Sequence, residues 1–226
     1  DFHRMPPRMS LTEVLVKSSN TGTARLALLA GAGRQRAFLG ELGLLEATEI
    51  ELSEAAGGRP LTPERWSEIS VMTISYGHGL SATPLHLASA YATMVNGGRR
   101  VRPTLLAGAG AAGARVISEE TSRAVREMLR RTVTDGTGRR AEVPGYFVGG
   151  KTGTADKPLP TGGYARDKTI TVFAGAFPMH DPRYVIVVAL DEAEDRTGAQ
   201  PRRTAGWLAA PTTRAGGRAL LPGLHA

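Results

Sequence analysis

Between Gly149 and Thr154 the chain sets one lysine, two threonines and three glycines in six consecutive positions. A cation and several backbone N–H groups can then face one anion, and two unrelated chemistries fit the letters. Gly145-x-x-x-x-Gly150-Lys151-Thr152 satisfies the P-loop pattern, and residues 185–191 have the form of an apolar strand ending in a magnesium-binding aspartate. A P-loop, however, needs a helix starting at its Lys-Thr, because the free N–H groups of that helix hold the phosphates. Here Gly153, Pro158, Pro160, Gly162 and Gly163 follow, and Glu142-Val-Pro-Gly145 precedes as a turn. The nucleotide-binding alternative therefore has the pattern without its context.

The second reading makes residues 147–155 an extended strand. Alternation then puts Lys151 and Gly153 on one face and Thr152 and Thr154 on the other, and the glycines let a substrate backbone lie close alongside. Lys-Thr-Gly on a strand is one of three elements of a known serine acyl-transfer site, the others being Ser-x-x-Lys and a Ser-x-Asn type triplet. Ser18-Ser19-Asn20 supplies the triplet, 133 positions before Lys151. Alone, such a triplet would read as a helix cap or turn. The third element is not found: the four lysines are Lys17, Lys151, Lys157 and Lys168, and none stands three positions after a serine.

Taken together the chain resembles the transpeptidase domain of class B penicillin-binding proteins, most closely the cell-division (septal) members of the alphaproteobacterial kind. The likeness is carried by Ser10-Leu-Thr-Glu-Val-Leu-Val-Lys-Ser-Ser-Asn20, Ile74-Ser-Tyr-Gly-His-Gly-Leu-Ser-Ala-Thr-Pro84, Ala90-Tyr-Ala-Thr-Met-Val-Asn-Gly-Gly98, Gly149-Gly-Lys-Thr-Gly-Thr-Ala155 and Phe177-Pro-Met-His-Asp-Pro-Arg-Tyr184.

The resemblance implies a penicillin-binding/β-lactamase-like transpeptidase fold, incomplete here, with residues 1–226 as the C-terminal portion of a single transpeptidase domain. It implies a peptidoglycan D,D-transpeptidase that cross-links cell-wall peptides in division and is acylated by β-lactams. Ser18 would relay protons between the motif lysine and Lys151 while donating to the leaving nitrogen, and Asn20 would hold the peptide amide. Lys151 would keep the network electropositive. Thr152 and Thr154 would bind the substrate's terminal carboxylate beside Gly153, with the Thr154 backbone N–H as one oxyanion donor.

The family's Ser-x-x-Lys lies some tens of residues before its Ser-x-Asn, whereas seventeen residues precede Ser18 and the chain opens on Asp1 rather than Met. The expectation is a fragment of a longer protein, poorly soluble because apolar core is exposed. Removing the nucleophile from a site that acts as a unit costs about 10⁶-fold in a serine hydrolase, so the chain by itself is expected to be inactive. A non-catalytic peptidoglycan-binding relative remains as a further alternative. Implied partners are peptidoglycan stem peptides, β-lactams and, through the full-length parent, divisome membrane proteins. The implied place of work is the periplasmic face of the inner membrane, with the anchor outside this chain.

Composition excludes several other classes. The formal charge of +7 comes from scattered arginines rather than a basic block, so no nucleic-acid partner is expected. There is no cysteine for a disulfide framework, and five histidines without ligand spacing give no metal site. No cofactor is implied, and no apolar run reaches the ~18 residues of a membrane span.

Along the chain, Ser10-Leu-Thr-Glu13 predicts a capping box opening a short helix that buries Leu11, Val14 and Leu15 and ends near Ser18. Further helices are expected over residues 23–30, 35–42, 84–96 and 119–134, with Thr83-Pro84 opening the one over 84–96 and Leu85, Ala88, Tyr91, Ala92 and Val95 as its buried stripe. Trp66 reads as a packing anchor, and His78 and His86 as structural. A short strand is expected within residues 45–54 and an extended run over 100–106, then an alanine-glycine loop over 108–113. A long turn over 158–167 leads to strands over 169–177 and 184–190, which Pro178–Pro182 would join as an antiparallel pair, and a solvated acidic loop over 191–195 precedes a closing helix over 204–221. The fold class is α/β mixed (α+β), an antiparallel sheet covered by helices.

Overall fold

A computed structural model describes residues 1, 3–48, 50–110, 113–159 and 163–220. The chain divides into two compact units, Asp1–Met128 and Leu129–Ala226, and the division falls within a long helix, Glu119–Thr134. The architecture is α+β, with most of the helices in the first unit and an antiparallel sheet with a closing helix in the second.

In the first unit, α1 (Leu11–Lys17) opens on the expected capping box: Ser10 Oγ accepts from the Glu13 N–H at 3.3 Å, and Glu13 Oε2 accepts from the Ser10 N–H at 2.8 Å. The helix buries Val14 and Val16, whereas Leu11 is exposed, which corrects the expected stripe. The contact that decides this face is with α2 (Asn20–Ala30): a Cβ at Gly22 would come within 2.9 Å of Val14 Cγ2. α3 (Ala32–Glu41) and α4 (Glu68–Ser75) follow. Gln35 ties them together, donating to the Val71 carbonyl at 2.9 Å and accepting from Trp66 Nε1 at 2.9 Å, so Trp66 is an anchor as expected. The strand expected within residues 45–54 does not form among the described residues; a 3₁₀ turn, Ser53–Gly57, lies there instead. Residues 100–106 likewise join no sheet; an isolated bridge between Arg99 and Arg115 lies just before them.

α5 (Pro84–Val95) starts on the Thr83 cap with proline at the first turn, as expected, but its buried residues are His86, Ala90, Thr93 and Val95. Val95 is buried as predicted, whereas Leu85, Ala88, Tyr91 and Ala92 are half-buried, because polar groups satisfied inside take the fully buried places. His86 closes a capping box with Thr83 and bonds Thr48 and the Glu46 carbonyl, while Thr93 Oγ1 donates to the Ser89 carbonyl at 2.9 Å and accepts from the Val101 N–H at 3.0 Å.

α6 (Glu119–Thr134) spans the expected residues, opening on a Ser118 cap with Glu119 and Glu120 in its first turn. In the second unit a 3₁₀ turn, Arg139–Ala141, leads to three strands, β1 (Gly149–Pro158), β2 (Tyr164–Phe177) and β3 (Tyr184–Asp191), in the order β1-β2-β3, both pairings antiparallel. The strands run further than predicted: β1 reaches Pro158 and β2 begins at Tyr164, so the long turn expected over 158–167 shrinks. Pro160 and Gly162, residues 111–112 of the alanine-glycine loop and Leu221 lie outside the described residues. α7 (Ala209–Leu220) packs on β2 and β3, starting later than predicted. The core of this unit gathers Val133, Val148, Phe173, Phe177 and Ala209. No helix among the described residues is long and apolar enough to cross a membrane.

Candidate active site

The six residues predicted to carry chemistry fall into two sets, Ser18 and Asn20 in the first unit, and Lys151, Thr152, Gly153 and Thr154 in the second.

Ser18 ends α1 with φ 56° and ψ 48°, the left-handed conformation that residues other than glycine adopt at a cost. This kink lets the chain turn at once into α2, whose cap is Ser19. Ser19 is fully buried, its Oγ accepting from the Gly22 N–H at 3.1 Å and donating to Asp1 Oδ2 at 3.0 Å. The Asp1 carboxylate also accepts from the Asn20 N–H at 2.6 Å and from Thr21 Oγ1 at 2.5 Å, so it occupies the positive end of α2. The Ser-x-Asn triplet is thus a helix junction held by its middle residue. Asn20 is half-buried, and its carboxamide has no hydrogen-bond partner among the described residues.

The second set lies on β1, an edge strand of the sheet among the described residues. Lys151-Thr152 sits inside the strand, opposite Ala174 and Phe173, and no helix begins there. The P-loop alternative is therefore wrong, and β3 is the antiparallel partner of β2 rather than a magnesium-binding strand. The glycines divide by role. A Cβ on Gly150 would meet the Phe173 ring at 2.6 Å, and one on Gly149 would lie 2.6 Å from Met179 Cγ and 3.0 Å from the Arg130 N atom. These two glycines admit packing, whereas Gly153 has open space where its side chain would be. Of the three, only Gly153 fits the expectation of a strand backbone open to a substrate.

Lys151 is half-buried, its Nζ donating to the Thr152 carbonyl at 2.8 Å. Burial pushes its ammonium down to about 8, since a buried cation gives up its proton more readily. Thr154 Oγ1 accepts from the Ala205 N–H at 2.9 Å, which fixes the oxygen and leaves its proton to donate. Thr152 Oγ1 lies 2.7 Å from the hydroxyl of Thr137, a residue of the loop after α6. Arg130 anchors the approach to the strand, pairing with Glu142 and donating to the Val148 carbonyl at 2.6 Å. One threonine does have a lysine three positions on, Thr154 with Lys157. On a strand that spacing points to opposite faces, and Lys157 is engaged by Asp191 at 2.9 Å and Glu192 at 2.8 Å.

Among the described residues no cluster of histidine and carboxylate side chains could hold a metal. The two threonine hydroxyls, on one face of the strand, are suited to binding an anion, and the Lys151 ammonium adds positive charge from the neighbouring position.

Residues 1–212 match the family model of the penicillin binding protein transpeptidase domain. This chain belongs to the penicillin-binding protein transpeptidase family. It is 38% identical over 223 residues to the "Probable peptidoglycan D,D-transpeptidase FtsI" of Caulobacter vibrioides, covering 93% of this chain and 37% of that protein. It is 37% identical over 216 residues to penicillin-binding protein PbpB of Mycolicibacterium smegmatis, covering 87% of this chain and 33% of that protein. Among solved structures, the apo transpeptidase domain of Burkholderia pseudomallei penicillin-binding protein 3 superposes with a TM-score of 0.79 at 33% identity, covering 94% of this chain and 65% of that one. Penicillin-binding protein 3 of Mycobacterium tuberculosis, complexed with ampicillin, gives 0.80 at 33% identity, covering 95% and 51%. The chain spans about a third of the length of the curated relatives it matches. Fold and family stand as the sequence reading expected.

Proposed function

We propose that this chain serves peptidoglycan D,D-transpeptidation in cell division, and that its two units are portions of one transpeptidase domain. In that reaction a serine Oγ attacks the carbonyl of a D-alanyl-D-alanine peptide, the C–N bond breaks, and the proton goes to the departing amine. A second amine then takes the acyl group. No serine of this chain has a lysine three positions on, so the nucleophile is not assigned to any of its residues. The remaining roles are Ser18 for proton relay, Asn20 for the peptide amide, Lys151 for positive potential, and Thr152 and Thr154 for the terminal carboxylate beside Gly153.

One observation carries this reading: on an edge strand, a lysine brought to about 8 by burial stands next to two threonine hydroxyls and an open glycine. A lysine so placed is charged near neutrality yet can exchange a proton close to working pH. The Thr154 oxygen is already bonded by a backbone N–H, so its proton is directed outward to an acceptor-only group such as a carboxylate. We propose stem peptides and β-lactams as ligands, and a place of work outside the cytoplasm, on the inner membrane's outer face beside divisome membrane proteins.

The test is titration of the 226-residue chain with N-acetyl-D-alanyl-D-alanine and with its C-terminal amide, followed by NMR. The acid is expected to bind more tightly, and equal binding would overturn the assignment of Thr152 and Thr154. Fluorescent penicillin is expected to leave the chain unlabelled, and covalent labelling would mean that one of its hydroxyls is a nucleophile.

A further inference from the structure

We infer that Thr137 is a positioning residue for carboxylate recognition, its hydroxyl donating to Thr152 Oγ1 so that the Thr152 proton is committed to the ligand. This rests on the reading above and adds a residue to the same site. The sequence marks residues 134–138, Thr-Asp-Gly-Thr-Gly, only as the end of a helix. In the fold that ending has a second consequence, a hydroxyl 2.7 Å from Thr152 Oγ1.

The chemistry follows from counting protons. A hydroxyl has one proton and two lone pairs, whereas an ionised carboxylate only accepts. If Thr152 donated to Thr137, it would have no proton left for the ligand. With Thr137 as donor, the Thr152 oxygen accepts and its proton is free to point outward. Thr154 has the same arrangement from a different source, because the Ala205 N–H fills its acceptor role. Each threonine of the pair thus has a protein donor behind it.

The loop that holds Thr137 is fixed on both sides. The Gly138 N–H donates to the Thr132 carbonyl at 3.0 Å, the Ala141 N–H donates to the Gly138 carbonyl at 2.8 Å, and Thr132 Oγ1 donates to the Gly150 carbonyl. A Cβ at Gly138 would lie 3.2 Å from the Thr132 oxygen and 3.5 Å from the Phe173 ring, so the turn is seated against the end of α6. Thr137 itself is exposed, and the hydroxyl pair is open to a ligand.

The experiment compares the wild-type 226-residue chain with Thr137→Val, Thr137→Ala and Thr137→Ser, titrating N-acetyl-D-alanyl-D-alanine and its C-terminal amide. Thr137→Val and Thr137→Ala are expected to weaken acid binding about fivefold, the size of one neutral hydrogen bond, with amide binding unchanged. Thr137→Ser is expected to keep the wild-type preference. The alanine variant covers the case in which valine perturbs the loop. An acid-to-amide ratio unchanged in both hydroxyl-free variants overturns the inference and leaves the reading of Thr152 and Thr154 standing. An equal loss for acid and amide, or a serine variant as weak as valine, also overturns it, because Thr137 would then be structural. A wild-type chain without acid preference overturns the underlying reading and this inference with it.

Discussion

β1 carries two lysines six residues apart, and they illustrate opposite uses of the same side chain. At the inner end, Lys151 lies among packed glycines, and burial alone lowers its proton affinity to about 8. At the outer end, Lys157 is held by Glu192 and Asp191, whose carboxylates raise its proton affinity above the ordinary value. The outer lysine is a surface ion pair of the kind that contributes little to stability. The inner one is held in a strained charge state, a condition that structure tolerates where chemistry needs it. A lysine's neighbours, rather than its position on a strand, decide which it becomes.

The largest expected effect separates the two by ligand. Lys151→Met should weaken binding of N-acetyl-D-alanyl-D-alanine roughly tenfold, through loss of positive potential beside the carboxylate site. Lys157→Met should leave it within about twofold, and comparable losses from both would erase the distinction. Next comes packing. Gly150→Ala should destabilise the chain by about 1–3 kcal/mol in urea unfolding, because its methyl meets the Ala174 carbonyl oxygen and the Phe173 ring, whereas Gly153→Ala, with open space, should stay within about 0.5 kcal/mol.

Titration sharpens the comparison through its sign. Lys151 disfavours its proton in the folded state, so stability is highest above the unfolded value of 10.5 and falls as pH drops towards about 8. Lys157 favours its proton, so its contribution is present below 10.5 and is lost as pH rises through its folded value. NMR of lysine side chains should show a midpoint near 8 for Lys151 and one above 10.5 for Lys157. A more modest loss than that at Gly150 lies away from β1: Asp1→Ala should cost about 1 kcal/mol, as loss of a helix-capping group does, read as a lower urea midpoint at unchanged slope.

Much of this was legible in the sequence because the signals are local. Ser10 and Glu13 form a capping box three residues apart, Thr83-Pro84 opens a helix, and the alternation through Lys151 and Thr152 marks a strand. What sequence could not reveal depends on groups far apart in the chain. Asp1 reaches residues 19–21, Thr137 reaches Thr152, and the Ala205 N–H reaches Thr154, none of them linked by any periodicity. The α5 stripe departs from its pattern partly for the same reason: His86 faces inward because the distant Glu46 carbonyl bonds it, while Thr93 is satisfied by the Ser89 carbonyl and the Val101 N–H of the following segment. Gly149 and Gly150 looked like substrate glycines, but only a neighbouring ring, a methionine and a helix backbone explain them.

The Phe173 ring lies over two glycines, since a Cβ on Gly175 would approach it to 2.8 Å just as one on Gly150 would to 2.6 Å. Ring and hydrogens therefore form a three-part lock whose members cannot be exchanged one at a time. Trimming the aromatic would not by itself admit a methyl at either glycine, because a Cβ on Gly150 would still lie 2.5 Å from the Ala174 carbonyl oxygen and one on Gly175 would still meet the Gly149 carbonyl oxygen, so any redesign of this strand pair has to move backbone and ring in concert.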